Sequence, residues 1–240
     1  MNIRKVLSNL ILPPPLPESK QYRRTVMWPD CMGQQPISDE LLGLTFQVGQ
    51  RARVLKLSDL DERCGPVGEH NIWPGEHHRL LAAMVDVLKP ASVVEFGTYA
   101  GMSSLAMKET LPAGGTISTF DLVGWREIEG TLLKAEDFAD GRLVQHLDNL
   151  ADMAAIEKHR DLLENADLLF IDGPKDGVTE PRLFSNFARL NFKRAPIFVI
   201  DDIHDYKFLD VWDAITHPKY DITSFGHWAG TGLVRWGGRD

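Results

Sequence analysis

The sequence predicts a doubly wound α/β fold in which a mostly parallel, seven-stranded sheet ends in an antiparallel strand pair. From residue 92 onwards, short apolar runs of strand length alternate with helix-length segments, which is the pattern of a parallel sheet covered by helices on both faces. Two further strand-like runs, residues 220–225 and 232–236, are joined without room for a helix, so we expect them to pair antiparallel.

The predicted elements follow one another in a regular order. A helix over residues 76–88 ends before Pro90, because proline cannot continue a helix. Each of the first five strands is an apolar run too short for a helix: residues 92–96, 116–120, 143–147, 168–171 and 197–200. The helices predicted after these strands span residues 103–110, 127–139, 152–164 and 181–191.

The first 70 residues differ in character from the rest of the chain. They alternate proline-rich and polar stretches with one helical part, residues 37–57. We therefore divide the chain into an N-terminal appendage, residues 1–70, which is a candidate lid, and a catalytic domain, residues 71–240. A chain of 240 residues with 43% hydrophobic content is sufficient for one substantial core.

The composition indicates which binding partners and which cellular location to expect. A formal net charge of -8 disfavours a nucleic-acid-binding surface, which is usually basic. The two cysteines form no Cys-x-x-Cys pair, and no segment approaches the roughly 20 apolar residues that span a bilayer. The apolar stretch within residues 1–12 is interrupted by polar residues and lacks a small-residue cleavage site. We expect a cytoplasmic protein without a nucleic-acid or membrane partner.

A loop with two glycines follows the first strand. Gly97 permits a tight turn, and Gly101 and Ser103 open the next helix, whose free N–H groups favour an anionic ligand group. The glycine spacing differs from the Gly-x-Gly-x-x-Gly of dinucleotide-binding proteins, which disfavours a nicotinamide cofactor. Acidic residues follow the next two strands, where Asp121 could accept ribose hydroxyls and Asp148 could face an adenine ring.

Three aspartates follow the fourth and fifth strands. Asp172 comes directly after the fourth strand, and Asp201 and Asp202 come after the fifth. Neighbouring strands lie about 4.8 Å apart, so these carboxylates can reach a common point, where they would repel one another unless a cation lay between them. Because an all-oxygen site suits Mg²⁺, Mn²⁺ or Ca²⁺ better than zinc, we expect a divalent metal, with Mg²⁺ the first candidate.

The loop after the first strand resembles that of the class I methyltransferases, and of the small-molecule O-methyltransferases among them. Their first motif often reads Glu-x-Gly-Thr-x-x-Gly-x-Ser, and the matching residues are Glu95, Gly97, Thr98, Gly101 and Ser103. The resemblance covers about residues 74–240 and implies S-adenosylmethionine as the cofactor. It also implies that the methionine part of the cofactor is surrounded by Glu95, Gly97, Tyr99 and Ser103, with Asp121 holding the ribose.

The aspartates extend the resemblance to the metal-dependent O-methyltransferases of the catechol and caffeoyl-CoA type and to the related sugar O-methyltransferases. Asp172, Asp201 and Asp202 match their ligand positions, and Asp202 in place of asparagine moves the likeness toward the sugar-methylating enzymes. Lys175 stands where the catechol type has its catalytic lysine. Beside a bound divalent cation its pKa should fall, so that it could accept a substrate proton; His204 is a second candidate base.

These observations predict an S-adenosylmethionine-dependent O-methyltransferase that acts on a hydroxylated small molecule, such as a sugar, a polyol or a phenol. Three alternatives share parts of the pattern: an NAD(P)-dependent oxidoreductase, a metal-dependent hydrolase or hydroxylase-like enzyme, and a non-catalytic cofactor-binding subunit. A homodimer closed by the appendage is compatible with the sequence. The candidates for shaping the acceptor pocket are Trp73, Trp125 and Trp228.

Overall fold

Seven strands form one sheet in the computed structural model, which describes residues 38–65, 77–205, 207–226 and 229–237. The strands are β1 (Ser92–Phe96), β2 (Thr116–Phe120), β3 (Leu143–His146), β4 (Leu168–Ile171), β5 (Ile197–Asp201), β6 (Lys219–Asp221) and β7 (Thr231–Arg235). Their order is β3-β2-β1-β4-β5-β7-β6. Strand β7 is antiparallel to β5 and β6, and the other pairs are parallel, which confirms the predicted fold class.

Helices cover both faces of the sheet. They are α1 (Asp39–Ala52), α2 (Ser58–Cys64), α3 (His77–Leu88), α4 (Met102–Thr110), α5 (Met153–Lys158), α6 (Arg160–Glu164), α7 (Thr179–Phe187) and α8 (Leu209–Ala214). Alternate residues of β4 point to opposite faces: the Phe170 ring meets His77 of α3, whereas Leu169 and Ile171 join the apolar core that α5 to α8 complete. No helix among the described residues has both the length and the apolar content to cross a bilayer.

The predicted helix over residues 127–139 is wrong. The structure has two short 3₁₀ turns there, Trp125–Glu127 and Ala135–Phe138, joined by an irregular segment. Gly130 has a φ of +75°, which a helix does not allow, and the Leu132 N–H donates to the carbonyl of Ala100, 3.0 Å away. A contact with the loop after β1 therefore replaces the helical hydrogen bonds.

Three other helix predictions are correct in type but not in extent. The helix predicted over 37–57 divides into α1 and α2, and the one over 152–164 divides into α5 and α6 at His159. The one over 181–191 is observed as α7, which begins at Thr179 because the Asp176 carboxylate accepts the N–H groups of Val178 and Thr179 at 2.7 Å. Residues 1–37 lie outside the described residues, so the division of the chain at residue 70 stays a prediction.

Candidate active site

The carboxyl ends of three adjacent strands bring the predicted site residues together. Phe96 at the end of β1 is in register with Ile171 of β4, which is in register with Ile200 of β5. Gly97 and Asp172, the residues that follow β1 and β4, are consequently neighbours, and the Asp172 N–H donates to the Phe96 carbonyl at 2.9 Å. The loop with the two glycines and the aspartate cluster thus meet at one edge of the sheet.

Gly97 is a position where the structure leaves no room for a side chain. Its φ is +105°, and a Cβ placed there would lie 2.1 Å from the carbonyl oxygen of Asp172. Gly101, at φ +84°, precedes the first residue of α4, and a Cβ there would meet the side chain of Leu133 at 2.2 Å. Both glycines are required by backbone conformation and by close packing.

Glu95 lies inside the protein beneath this loop. The side chain is fully buried, and its carboxylate accepts hydrogen bonds from the hydroxyls of Ser103, at 2.5 Å, and Ser104. The pKa of Glu95 is raised to about 7: burial and the charge of Asp172 raise it, and together they outweigh the hydrogen bonds from both serines and Thr119, which lower it. Glu95 therefore joins β1 to the first turn of α4 and changes its charge near neutral pH.

Asp121 connects the end of β2 to the same loop. One carboxylate oxygen accepts the N–H groups of Thr98 and Tyr99, both at 2.9 Å, and the other accepts those of Leu122 and Val123 at 2.7 and 3.1 Å. The Tyr99 residue is 72% exposed at the rim of the loop. Asp121 therefore fixes the backbone of the loop after β1 that carries Gly97 and Gly101, which we name the cofactor loop because the sequence predicts that it binds the cofactor.

Asp148 and Trp125 lie further along the sheet. Asp148 follows β3, the edge strand, and its carboxylate pairs with Lys158 at 2.7 Å and with the His159 ring at 2.8 Å. Trp125 stacks on Phe138, with ring centroids 5.3 Å apart, in a groove of about 480 Å³ beside β3. Strands β1 and β2 separate this groove from the aspartates at the carboxyl ends of β4 and β5, so Trp125 does not lie beside these aspartates.

Asp172, Asp201 and Asp202 form the cluster that the sequence predicted. Their nearest carboxylate oxygens all lie within 4.8 Å of one another. Burial raises the pKa of Asp201 well above its ordinary value, the negative charges of Asp172 and Asp202 raise it further, and Lys175 opposes them in part. A buried carboxylate with two carboxylate neighbours offers hard oxygen ligands and gains stability from a cation, so the residues present fit a divalent metal.

The ammonium group of Lys175 forms ion pairs with two of these aspartates. The Nζ atom lies 2.7 Å from Asp172 Oδ1 and 3.4 Å from Asp202 Oδ2, and the side chain is 9% exposed. Burial lowers the pKa of Lys175, but the charges of Asp172, Asp201 and Asp202 outweigh burial and raise the pKa above its ordinary value. The predicted fall in the pKa of Lys175 assumed that a bound cation repels its ammonium group. Among its protein neighbours alone, Lys175 is an ammonium.

His204 pairs with an aspartate that the sequence analysis did not select. Its Nε2 lies 2.7 Å from Asp221 Oδ2, and Asp221 also accepts the Thr223 N–H at 3.0 Å. Burial raises the pKa of Asp221, but the hydrogen bond and charge of His204 outweigh burial, so the pKa lies below its ordinary value. Strand β7 makes this pair possible, because Asp201 is in register with Thr231 and Asp221 with Gly232.

Comparison with known proteins identifies the family of this chain. Residues 67–205, more than half of the chain, match a family model described as O-methyltransferase. The chain belongs to the O-methyltransferase family. Membership confirms the predicted enzyme class, an S-adenosylmethionine-dependent O-methyltransferase, and favours it over the oxidoreductase and hydrolase alternatives. No curated protein sequence matches the chain.

Solved structures similar to this O-methyltransferase have low sequence identity. The O-methyltransferase TomG from Streptomyces achromogenes, involved in tomaymycin synthesis and solved with SAM, is 16% identical; the match covers 84% of this chain and 100% of TomG, with a TM-score of 0.51. A Corynebacterium glutamicum protein is also 16% identical, with coverage of 80% and 91% and a TM-score of 0.51. At this identity the likeness concerns the fold alone.

Backbone with positive φ is concentrated in the loops of the candidate active site. Among the described residues, the non-glycine residues with positive φ are Lys89, at 50°, Tyr99, at 41°, Lys175, at 52°, and Asp202, at 54°. The last three were selected from the sequence as site residues. Because non-glycine residues rarely adopt this conformation and tend to do so at functional sites, the backbone supports the location of the site without reference to side-chain chemistry.

Sequence reasoning missed several side chains that support this site. Ser104 bonds to Glu95, Asp221 to His204, and His77 lies with its Nδ1 3.7 Å from Asp201 Oδ1. Glu180 is 1% exposed and accepts the Lys175 N–H at 2.6 Å, so it fixes the loop that carries Lys175. The two adjacent serines after Gly101 were a usable signal for Ser104. The contacts of Asp221 and His77 join elements that are distant along the chain and have no local signal.

Proposed function

We propose that this O-methyltransferase transfers the methyl group of S-adenosylmethionine to a hydroxyl group of a small molecule, such as a sugar, a polyol or a phenol, with the assistance of a divalent metal. The observation that carries the proposal is the contact between Gly97 and Asp172, which brings the cofactor loop and the aspartate cluster to adjacent strand ends. A methyl donor on the loop and an acceptor beside the cluster would therefore be neighbours.

The cofactor loop has the features that a sulfonium amino-acid ligand requires. The free N–H groups at the start of α4 would bind the carboxylate of the cofactor, and Glu95, Gly97 and Ser103 would line its methionine part. The other residues that we propose for the cofactor are Thr98, Tyr99, Gly101, Asp121 and Asp148. TomG, which has a similar fold, was solved with SAM, which supports this choice of cofactor.

Asp172, Asp201 and Asp202 are the residues that would hold the metal, with Mg²⁺ the first candidate because the donors are all oxygen. When bound, a divalent cation lowers the pKa of a coordinated hydroxyl group and helps to orient it. The ammonium of Lys175 lies beside two of these carboxylates and balances part of their charge. Lys175 thus has a positioning role in addition to its proposed role as a base.

His204 is the first candidate for the general base. The pair with Asp221 fixes its ring and favours the tautomer that carries the proton on Nε2, which leaves the Nδ1 lone pair to accept a proton. The raised pKa of Lys175 argues against a neutral amine among the carboxylates, so Lys175 is the second candidate. Methyl transfer from a sulfonium requires an ionised oxygen placed in line with the sulfur–carbon bond, and positioning therefore carries much of the rate.

The test of the proposal is isothermal titration of the full chain with S-adenosylhomocysteine and, separately, with Mg²⁺. We expect the wild type to bind both, Asp121→Ala to bind S-adenosylhomocysteine more weakly, and Asp172→Ala to retain it but lose Mg²⁺. Asp161→Ala removes an exposed carboxylate from α6 and serves as the matched control. A wild type that does not bind S-adenosylhomocysteine contradicts the cofactor site; one that binds it but not Mg²⁺ contradicts only the metal.

Several narrower predictions complete the proposal. The partner is a hydroxylated small molecule, with no nucleic acid or membrane partner. The cytoplasmic location, the homodimer and the lid role of residues 1–70 stay predictions. An acceptor screen with and without Mg²⁺ tests the substrate class, since sugars, polyols and phenols can be compared at equal concentration.

A further inference from the structure

A buried ion pair links α2 to the segment between β2 and β3. The Arg63 guanidinium donates to both carboxylate oxygens of Asp137, at 2.7 and 2.8 Å, and to the carbonyl of Leu132 at 2.8 Å. The two side chains are 8% and 7% exposed. The Asp137 carboxylate also accepts the Lys134 N–H at 2.7 Å. Arg63 thus holds both ends of residues 132–137, which we name the strap.

The strap packs directly against the cofactor loop. The Leu132 N–H donates to the carbonyl of Ala100 at 3.0 Å, and the Leu133 side chain, 3% exposed, lies against Gly101 so closely that a Cβ there would meet it at 2.2 Å. Gly101 immediately precedes α4, the helix whose first N–H groups face the proposed cofactor. Arg63 is therefore joined to the cofactor loop through a single residue of the strap, Leu132.

Helix α4 also bonds to the strap and to α2. Its Lys108 donates to the carbonyl of Asp137 at 2.5 Å, and its Glu109 accepts the Leu60 N–H of α2 at 3.0 Å. Helix α2, the strap and α4 thus each bond to the other two, next to the cofactor loop. Arg63 supplies the charge that neutralises Asp137.

We propose that Arg63 is a positioning residue that sets the affinity of the enzyme for S-adenosylmethionine by holding the strap against the cofactor loop. The inference rests on the proposed location of the cofactor. Without Arg63, the buried Asp137 carboxylate loses both guanidinium hydrogen bonds and keeps the one from the Lys134 N–H. It must then become hydrated or protonated, which moves the strap and loosens Ala100 and Gly101. A loop that must be reordered on binding lowers affinity, because the cost of ordering is subtracted from the binding free energy.

The experiment compares Arg63→Met, Arg63→Lys and Arg160→Met in the full chain. Arg160 pairs with Glu157 and Glu164 and is 32% exposed, so Arg160→Met removes arginine ion pairs that are more exposed and lie away from the strap. Affinity for S-adenosylhomocysteine is measured by calorimetry, global stability by urea denaturation, and the mobility of residues 98–104 and 131–134 by hydrogen exchange. In a methyl-transfer assay, the KM for S-adenosylmethionine is separated from kcat at saturating cofactor.

For Arg63→Met we expect a loss of S-adenosylhomocysteine affinity of about tenfold, faster exchange in both segments, and a raised KM for S-adenosylmethionine with kcat little changed. Arg63→Lys keeps the charge but not the bidentate geometry, so its loss of affinity should be smaller, and it remains informative if Arg63→Met does not fold. Arg160→Met should leave affinity and loop exchange unchanged.

Two results would overturn the inference in different ways. If the Arg63 variants lose stability but keep wild-type affinity and wild-type exchange in residues 98–104, Arg63 has only a structural role. If the wild type itself does not bind S-adenosylhomocysteine, the proposed cofactor site fails, and the positioning role fails with it.

Discussion

Replacing Gly97 by alanine tests the contact between the cofactor loop and the aspartate cluster. The substitution adds two costs. A non-glycine residue at a φ of +105° is strained by about 1 to 3 kcal/mol. A Cβ 2.1 Å from the Asp172 carbonyl oxygen must also displace backbone at the end of β4, and such overpacking typically costs about 1 to 3 kcal/mol more. We expect the free energy of unfolding to fall by about 4 kcal/mol.

Gly141→Ala is the matched control, because Gly141 has a φ of +70° and a Cβ added there would meet no atom within 4 Å. Its cost should be the backbone strain alone, about 1 to 2 kcal/mol. Urea denaturation gives both values, and calorimetry with S-adenosylhomocysteine and Mg²⁺ shows whether Gly97→Ala weakens both sites together. Equal destabilisation of the two variants would refute the argument from close packing.

Three further predictions concern the buried charges. The pKa of Glu95 is about 7 in the folded protein and 4.5 ordinarily, so its protonation stabilises the fold. This contribution, up to about 3 kcal/mol, is fully present below about pH 4.5 and is lost as pH rises through 7. Urea denaturation of wild type and Glu95→Gln at pH 5 and pH 8 should show the loss in the wild type alone, and an equal change of unfolding free energy in both proteins would contradict it. Asp201→Asn should stabilise the metal-free protein by about 1 to 2 kcal/mol, since it removes a buried repelling charge, and should abolish the rise in Tm caused by Mg²⁺. Asp221→Asn should lower kcat about tenfold while S-adenosylhomocysteine affinity stays unchanged, and an unaltered kcat would remove His204 from the mechanism.

The parts of the fold that the sequence predicts are those with local signals. Strands β1, β2 and β4 have the predicted bounds, because each is a short, mostly buried run of apolar or β-branched residues, a local signal that needs no long-range information. The location of Asp172 and Asp201 follows from the same pattern, since residues after parallel strands share one edge of the sheet. Their proximity was therefore predictable without knowledge of side-chain positions.

The parts that the sequence does not predict depend on distant contacts. The segment after β2 has helix-forming composition, but its backbone is held by Ala100 and by Arg63, which lies 74 residues from Asp137 along the chain. Asp221 is 17 residues from His204 and reaches it only because β7 lies between β5 and β6. In both cases tertiary contacts override local propensity, and no spacing rule indicates them.

The position of β7 has a consequence for folding during synthesis on the ribosome. Of the seven described strands, β7 (residues 231–235) is synthesised after the other six, yet it lies inside the sheet, between β5 and β6. Until β7 emerges, β5 has an open edge and β6 has no partner strand among the described residues. During synthesis, the edge of β5 that later pairs with β7 therefore offers unpaired backbone groups to other polypeptides, and a chaperone that covers this edge would protect the strand that carries Asp201.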